Sequence, residues 1–252
     1  MLSALLQRLF NSRPWRSVFR HGWPDNPTDR SLAITTNLFL HVHPARVSRR
    51  SLRWSYTFGL GVIALILFGL LVATGILMMF YYVPSVERAY QTVKALRTSV
   101  SLGEFIRNFH RWSAHALVLT VILHMARVFY TGAYKPPREF TWVIGVGLLL
   151  LTFGASYTGY LLPWDQLAYW GTTVGTSIAS YAPVLGPVIR ELLLGGPEVG
   201  QSALTRFFTL HVAVVPVLLM LVITLHLWRV RTSGGLAASA PDLSEDASAE
   251  GV

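Results

Sequence analysis

The sequence predicts an all-α membrane protein in which four transmembrane helices form one bundle. Three observations carry that expectation. Of the 252 residues, 52% are hydrophobic and 13% charged, with a mean hydropathy of +0.47. That balance suits a chain whose apolar residues face lipid rather than a single water-shielded core. Four apolar runs, about 54–82, 109–130, 141–162 and 207–230, are each long enough to cross roughly 30 Å of hydrocarbon as a helix. The second and fourth runs carry histidine pairs, and the first and third carry glycine pairs at nearly the same step.

The chain divides into a segment 1–53, a bundle 54–231 and a tail 232–252. Residues 2–20 place Leu5, Leu6, Leu9 and Phe10 on one side and arginines on the other. A helix lying on the membrane surface and an ordinary amphipathic packing helix both fit. Nine arginines stand against two aspartates in the first 54 residues. This positive-inside bias puts both termini in the cytoplasm once four crossings are counted. It also explains the net charge of +9 without a nucleic acid. No cleavable signal is expected, because the first long apolar run begins past residue 54. The absence of cysteine rules out disulfides, thioether-linked haem and iron–sulfur ligation by this chain. The tail, Ala/Ser-rich and acidic, reads as disordered.

The first run ends at an aromatic FYY before Val83-Pro84 and holds Gly61 and Gly75. A loop with a short helix around 86–96 leads to the second run. The basic turn TGAYKPPREF joins it to the third, which holds Gly145 and Gly159. Residues 162–206 form a long connection opening with PWDQLAYWG, and such segments are often functional. Pro216 lies within the fourth run, where a bundle tolerates a kink.

His110 and His124 are 14 residues apart and His211 and His226 are 15 apart. At about 1.5 Å and 100° per residue each pair spans roughly 21 Å and stays near one helix face. Parallel second and fourth helices would set His110 level with His211, and His124 level with His226. An imidazole in hydrocarbon is a functional candidate. Zinc would want four clustered ligands, usually with a thiolate or carboxylate. Two opposed neutral imidazoles suit haem, and filling both axial positions favours electron transfer. The reading is two stacked b-type haems. The glycine pairs serve either close helix packing or clearance for the cofactors.

HRWSAHALVLTVILHMARVFYTG, KPPREFTWVIG, TGYLLPWDQLAYWG, VGQSALTRFFTLH and LHLWRVR resemble cytochrome b, most closely its short four-helix b6 form. The resemblance covers about residues 37–234. It implies a subunit of a Rieske/cytochrome b complex that oxidises quinol, passes electrons to a c-type cytochrome or similar carrier, and moves protons. His110 and His211 would then ligate the outer haem iron, and His124 and His226 the inner one. Arg107, Arg127 and Arg138 match positions that pair with haem propionates; each also fits a membrane-anchoring arginine. Tyr160 and Gly171 match the outer quinol pocket, and Arg231 the inner quinone side.

Partners implied are a C-terminal cytochrome b half, a Rieske protein and a c-type cytochrome, in a homodimeric complex embedded in lipid. The location implied is a bacterial inner membrane or equivalent. Three departures stand out. Gly59 occupies the place where relatives carry a cysteine holding a third haem, so no covalent third haem is expected. The acidic motif completing the outer pocket lies beyond this sequence, so a partner is expected to supply it. His115 stands where a small polar residue is expected, about 140° from His110 on the helix, and reads as a hydrogen-bonded histidine facing the bundle. The rival readings are a dihaem conduit for another quinone-linked enzyme without a Rieske partner, and a haem-free transporter.

Overall fold

The computed structural model of the protein describes residues 26–27, 54–136 and 138–232. The expected surface helix at 2–20, the basic run 46–53 and the tail after 232 lie outside them. Among the described residues the structure is helical throughout, and four helices are long and apolar enough to cross a membrane.

A single helical turn, Trp54–Thr57, precedes α1 (Leu60–Met79). Between them Phe58 and Gly59 both take left-handed backbone, with φ of 50° and 61°. Gly59 bears this conformation easily, whereas at Phe58 it costs about 1–2 kcal/mol. The first span therefore starts at Leu60, not at residue 54. A short helix α2 (Ala89–Thr98) follows, then α3 (Gly103–Tyr130), which begins before the expected 109. Gly103 is needed there, because a Cβ would collide with the carbonyl oxygen of Leu96. After the basic turn, α4 runs Glu139–Leu161.

The long connection is built from α5 (Gln166–Ser180) and α6 (Gly186–Leu194). Asp165 caps α5 by accepting a hydrogen bond from the Ala168 amide at 2.9 Å, the side-chain capping that makes Asp favourable there. The fourth span begins at α7 (Gln201–Thr209), well before the expected 207. It passes through a π-helical segment, Leu210–Val214, into α8 (Val215–Thr232). In that segment the Val215 amide bonds the Leu210 carbonyl, five residues back. The irregularity foreseen at Pro216 thus appears just before the proline.

Helix α1 packs on α3, α3 on α4, and α4 on α8. The two ends of the bundle differ. At one, α2 and α5–α7 form a cap with its own core of Leu161, Leu194, Ala203 and Phe207. Tyr82 stitches this capped end to the loop after α4: its hydroxyl donates to the Leu162 carbonyl at 2.6 Å and its ring stacks on Phe208. Burial pushes the Tyr82 phenol up, so it stays protonated and able to donate. Gln201 clamps the chain after α1, accepting from the Val86 amide and donating to the Pro84 carbonyl, both at 2.9 Å. Among the described residues the other end carries the helical turn Trp54–Thr57 and the turn from Thr131 to Arg138.

Candidate functional site

Histidines and glycines meet in four places. Gly75 lies against His110 and Gly61 against His124, which makes α1 and α3 antiparallel neighbours. Gly159 lies against His211 and Gly145 against His226, pairing α4 with the fourth span in the same way. A Cβ at these glycines would stand 3.4, 3.5, 2.5 and 3.7 Å from the respective imidazole Cε1. Only at Gly159 is a Cβ excluded by the ring; at Gly75, Gly61 and Gly145 it would make ordinary van der Waals contact with the imidazole.

With the ring so close, His211 Nδ1 reaches a carbonyl of the glycine's helix. His211 Nδ1 is 3.1 Å from the Ala155 oxygen, four residues before Gly159. A carbonyl only accepts, so Nδ1 carries the proton and Nε2 keeps a bare lone pair. At His110 the backbone partner is Leu71, four before Gly75. At His226 it is Thr141, four before Gly145, which lies nearby without a hydrogen bond of good geometry and leaves Nδ1 buried and unsatisfied.

Two threonines that sequence reasoning missed join the capped-end pair. The Thr74 hydroxyl donates to the Leu70 carbonyl at 2.7 Å, so its 2.8 Å contact with His110 must be Nδ1–H donating to Oγ1. Thr158 repeats this, donating to Gly154 at 2.8 Å and accepting from His211 Nδ1 at 3.2 Å. The only sequence signal is that each threonine directly precedes a site glycine, in Thr74-Gly75 and Thr158-Gly159.

His110 and His211 face each other with ring centres 6.3 Å apart. Opposed imidazoles that each make a bond of about 2 Å to one metal ion would have ring centres about 6 Å apart. His124 and His226, on the same two spans, are close enough to interact electrostatically. Among the described residues no cluster of three or more metal-ligating side chains occurs; the histidines meet in pairs.

The family model described as cytochrome b/b6/petB matches residues 47–234. The chain belongs to the cytochrome b/b6 family. Cytochrome b6 of Tupiella akineta is 47% identical over 175 residues, covering 69% of this chain and 81% of that one. Cytochrome b6 of Synechococcus sp. (strain WH7803) is likewise 47% identical over 175 residues, covering 69% and 80%. A solved chain described as hyperthermophilic respiratory Complex III matches with a TM-score of 0.68 and 25% identity over 90% of this chain. This chain spans 62% of the length of that one.

Cytochromes of this family bind b-type haem, and the residues present fit that group. Nδ1 donates into backbone or threonine at the capped end, leaving Nε2 to ligate, the orientation second-shell partners impose on metal-binding histidines. Toward the turn end Arg127 donates through Nε to the Tyr56 carbonyl at 3.0 Å and stacks over the Tyr56 ring at 4.7 Å. Its Nη2 is buried without a hydrogen-bond partner. Arg138, only 7% exposed at the start of α4, lies close enough to Arg127 for their charges to interact. A buried arginine, a half-buried one whose charge interacts with it, and an orphaned donor suit an anionic carboxylate. Arg107 is half-buried on the first turns of α3, among Arg97, Arg111, Glu104 and Asp165.

The remaining expected residues lie as follows. Tyr160 is exposed on α4, and Gly171 sits inside α5 where a Cβ would touch Leu161 Cδ2 at 3.0 Å. The tyrosine that reaches Gly171 is Tyr157, whose hydroxyl donates to its carbonyl at 3.0 Å. Arg231 lies in the last turn of α8, half-buried. His115 does not face the bundle. It is exposed on α3, with Nδ1 bonded to the Arg111 carbonyl at 2.7 Å and its ring beside Trp112. The hydrogen bond is local to its own helix, because the 140° offset carries the side chain outward.

Proposed function

We propose that this chain is a dihaem cytochrome b subunit of a quinol-oxidising complex. It would carry electrons across a bacterial inner membrane, or its equivalent, between an outer quinol-oxidation site and an inner quinone-reduction site. The observation that carries the reading is the opposed His110–His211 pair at 6.3 Å, with both Nδ1 atoms hydrogen-bonded away from the gap between them. His110 and His211 hold one b-type haem iron near the capped end, and His124 and His226 hold a second near the turn end. When bound, the two haems supply one-electron relay chemistry, the protein contributing position and electrostatics.

The chain's own residues set the rest. The arginine bias of the segment before residue 54 places the turn end, and both termini, in the cytoplasm; the capped end is then outer. Arg127 and Arg138 hold the propionates of the inner group, and Arg107 those of the outer one. Gly61, Gly75, Gly145 and Gly159 let the four ligating rings approach their neighbouring helices. Tyr160, Gly171 and the exposed face of α5 border the outer quinol pocket, while Arg231 lies on the inner quinone side. The reaction releases quinol protons outside and couples to proton translocation. Partners are a C-terminal cytochrome b half, a Rieske protein and a c-type cytochrome, in a homodimeric complex. Gly59 offers no thiol to which a third haem could be attached, so none is covalently held there.

The test is a haem-to-protein ratio and a redox-titrated difference spectrum on the purified complex. Two b-type haems with separate midpoints are expected. One haem or none would overturn the reading, and a dihaem protein purified without any Rieske partner would favour a conduit for another enzyme.

A further inference from the structure

Three of the four spans repeat their paired residues at one step. Gly61 and Gly75, His110 and His124, and Gly145 and Gly159 are each 14 apart, whereas His211 and His226 are 15 apart. In an uninterrupted α-helix that one residue rotates a side chain by about 100°. Yet His211 faces His110 across 6.3 Å, and His226 and His124 are near enough to interact. Something in the fourth span removes the extra rotation. Beginning one residue before His211 and running toward His226 is the π-helical segment Leu210–Val214, the one such segment among the described residues.

A π-bulge is an α-helix holding one additional residue in one turn, closed by a bond five residues back, here from the Val215 amide to the Leu210 carbonyl. Resting on the dihaem reading above, we infer that Leu210–Val214 is a register device for the haem ligands. It absorbs the fifteenth residue, so that both histidines of the fourth span meet partners set 14 apart on α3. The bulge also widens the turn carrying His211, and this ring presses closest of the four on its glycine, 2.5 Å from a Cβ at Gly159.

Pro216 offers a competing cause. It lacks an amide hydrogen and its ring crowds the carbonyl four residues back, at Val212. In the present inference proline lowers the cost of the bulge but does not create it; the residue count does. The two causes predict opposite results. If count is the cause, Pro216→Leu keeps two haems per chain and an unchanged low-spin EPR signal from the outer haem. Deleting Val214 in that background converts the segment to α-helix at a spacing of 14; it keeps both haems and shifts the EPR signal of the outer haem alone. Deleting Leu119 from α3, which has no spare residue, lowers the content from two haems to one or none.

The purified complex, with haem stoichiometry and EPR as readouts, decides. Loss of a haem on Pro216→Leu would assign the bulge to proline and overturn the inference. So would loss of a haem on deletion of Val214 and equally on deletion of Ala213, the second site tried should the first disturb insertion. Tolerance of the Leu119 deletion would overturn it as well. A parent protein with fewer than two haems would instead overturn the dihaem reading, so the two failures are distinguishable.

Discussion

At Thr158 and Thr74 a single hydroxyl decides which histidine nitrogen is free. Each hydroxyl spends its proton on its own helix and so can only accept from the imidazole. Replacing Thr158 with valine leaves the Ala155 carbonyl as the one acceptor for His211. Outer-haem binding is expected to persist, since a hydrogen bond of this kind is worth about 1 kcal/mol. With less proton pull the ligand becomes a weaker donor. The outer midpoint should then rise by about tens of mV, at about 59 mV per 1.4 kcal/mol for one electron. Potentiometric titration of Thr158→Val and Thr74→Val checks this, and an unchanged outer midpoint in both would refute it. The glycines give a graded second case. The Cβ of Gly159→Ala would stand 2.5 Å from a rigid ring with no room to give, against 3.4 Å at Gly75, 3.5 Å at Gly61 and 3.7 Å at Gly145. Haem content should fall most in Gly159→Ala and least in Gly145→Ala. Histidines and glycines were legible in the sequence because both are rare and periodic in apolar runs. The threonines were not, since threonine in a helix ordinarily bonds its own carbonyls, as these also do.

At the scale of elements, the α4–α5 contact rests on residues that spacing alone did not mark. Tyr157 reaches the Gly171 carbonyl, and a Cβ at Gly175 would run into the Tyr157 hydroxyl oxygen. A Cβ at Gly171 meets only the flexible end of Leu161. Gly175→Ala is therefore expected to lower thermal stability more than Gly171→Ala, and Tyr157→Phe to cost about 1 kcal/mol through the lost hydrogen bond. Melting curves of the three variants in detergent give the order. The existence of the four spans was readable from hydropathy, but their limits were not. Hydropathy marks where lipid begins, whereas α3 and α7 continue as helix into the cap, where Gly103 abuts the end of α2 at Leu96 and Gln201 bonds the distant Pro84. The π-segment left one trace in advance, the step of 15 where its neighbours had 14.

Among the described residues the two histidine levels are braced unequally. The capped end has a buried core around Leu161, Leu194, Ala203 and Phe207 and the Tyr82 and Gln201 clamps. Arg206 also donates to the Glu191 and Leu192 carbonyls that end α6. At the turn end, α1 is separated from its preceding turn by two left-handed residues. Braces there include Arg127 on Tyr56 and Arg229 over Phe140; on the dihaem reading, an anionic group meeting the buried Arg127 Nη2 strengthens the first. Local opening follows the density of buried contacts, so the turn end should yield first. On titration of the purified complex with denaturant, the inner haem should be released before the outer one. Amides of residues 60–64 should exchange with solvent ahead of those of residues 203–208. Arg127→Ala should widen the gap between the two release midpoints, while Arg206→Ala should narrow it by loosening the cap. Release of both haems in a single step, unaltered by either substitution, would mean that the bundle opens as one unit and that the cap stabilises both levels equally.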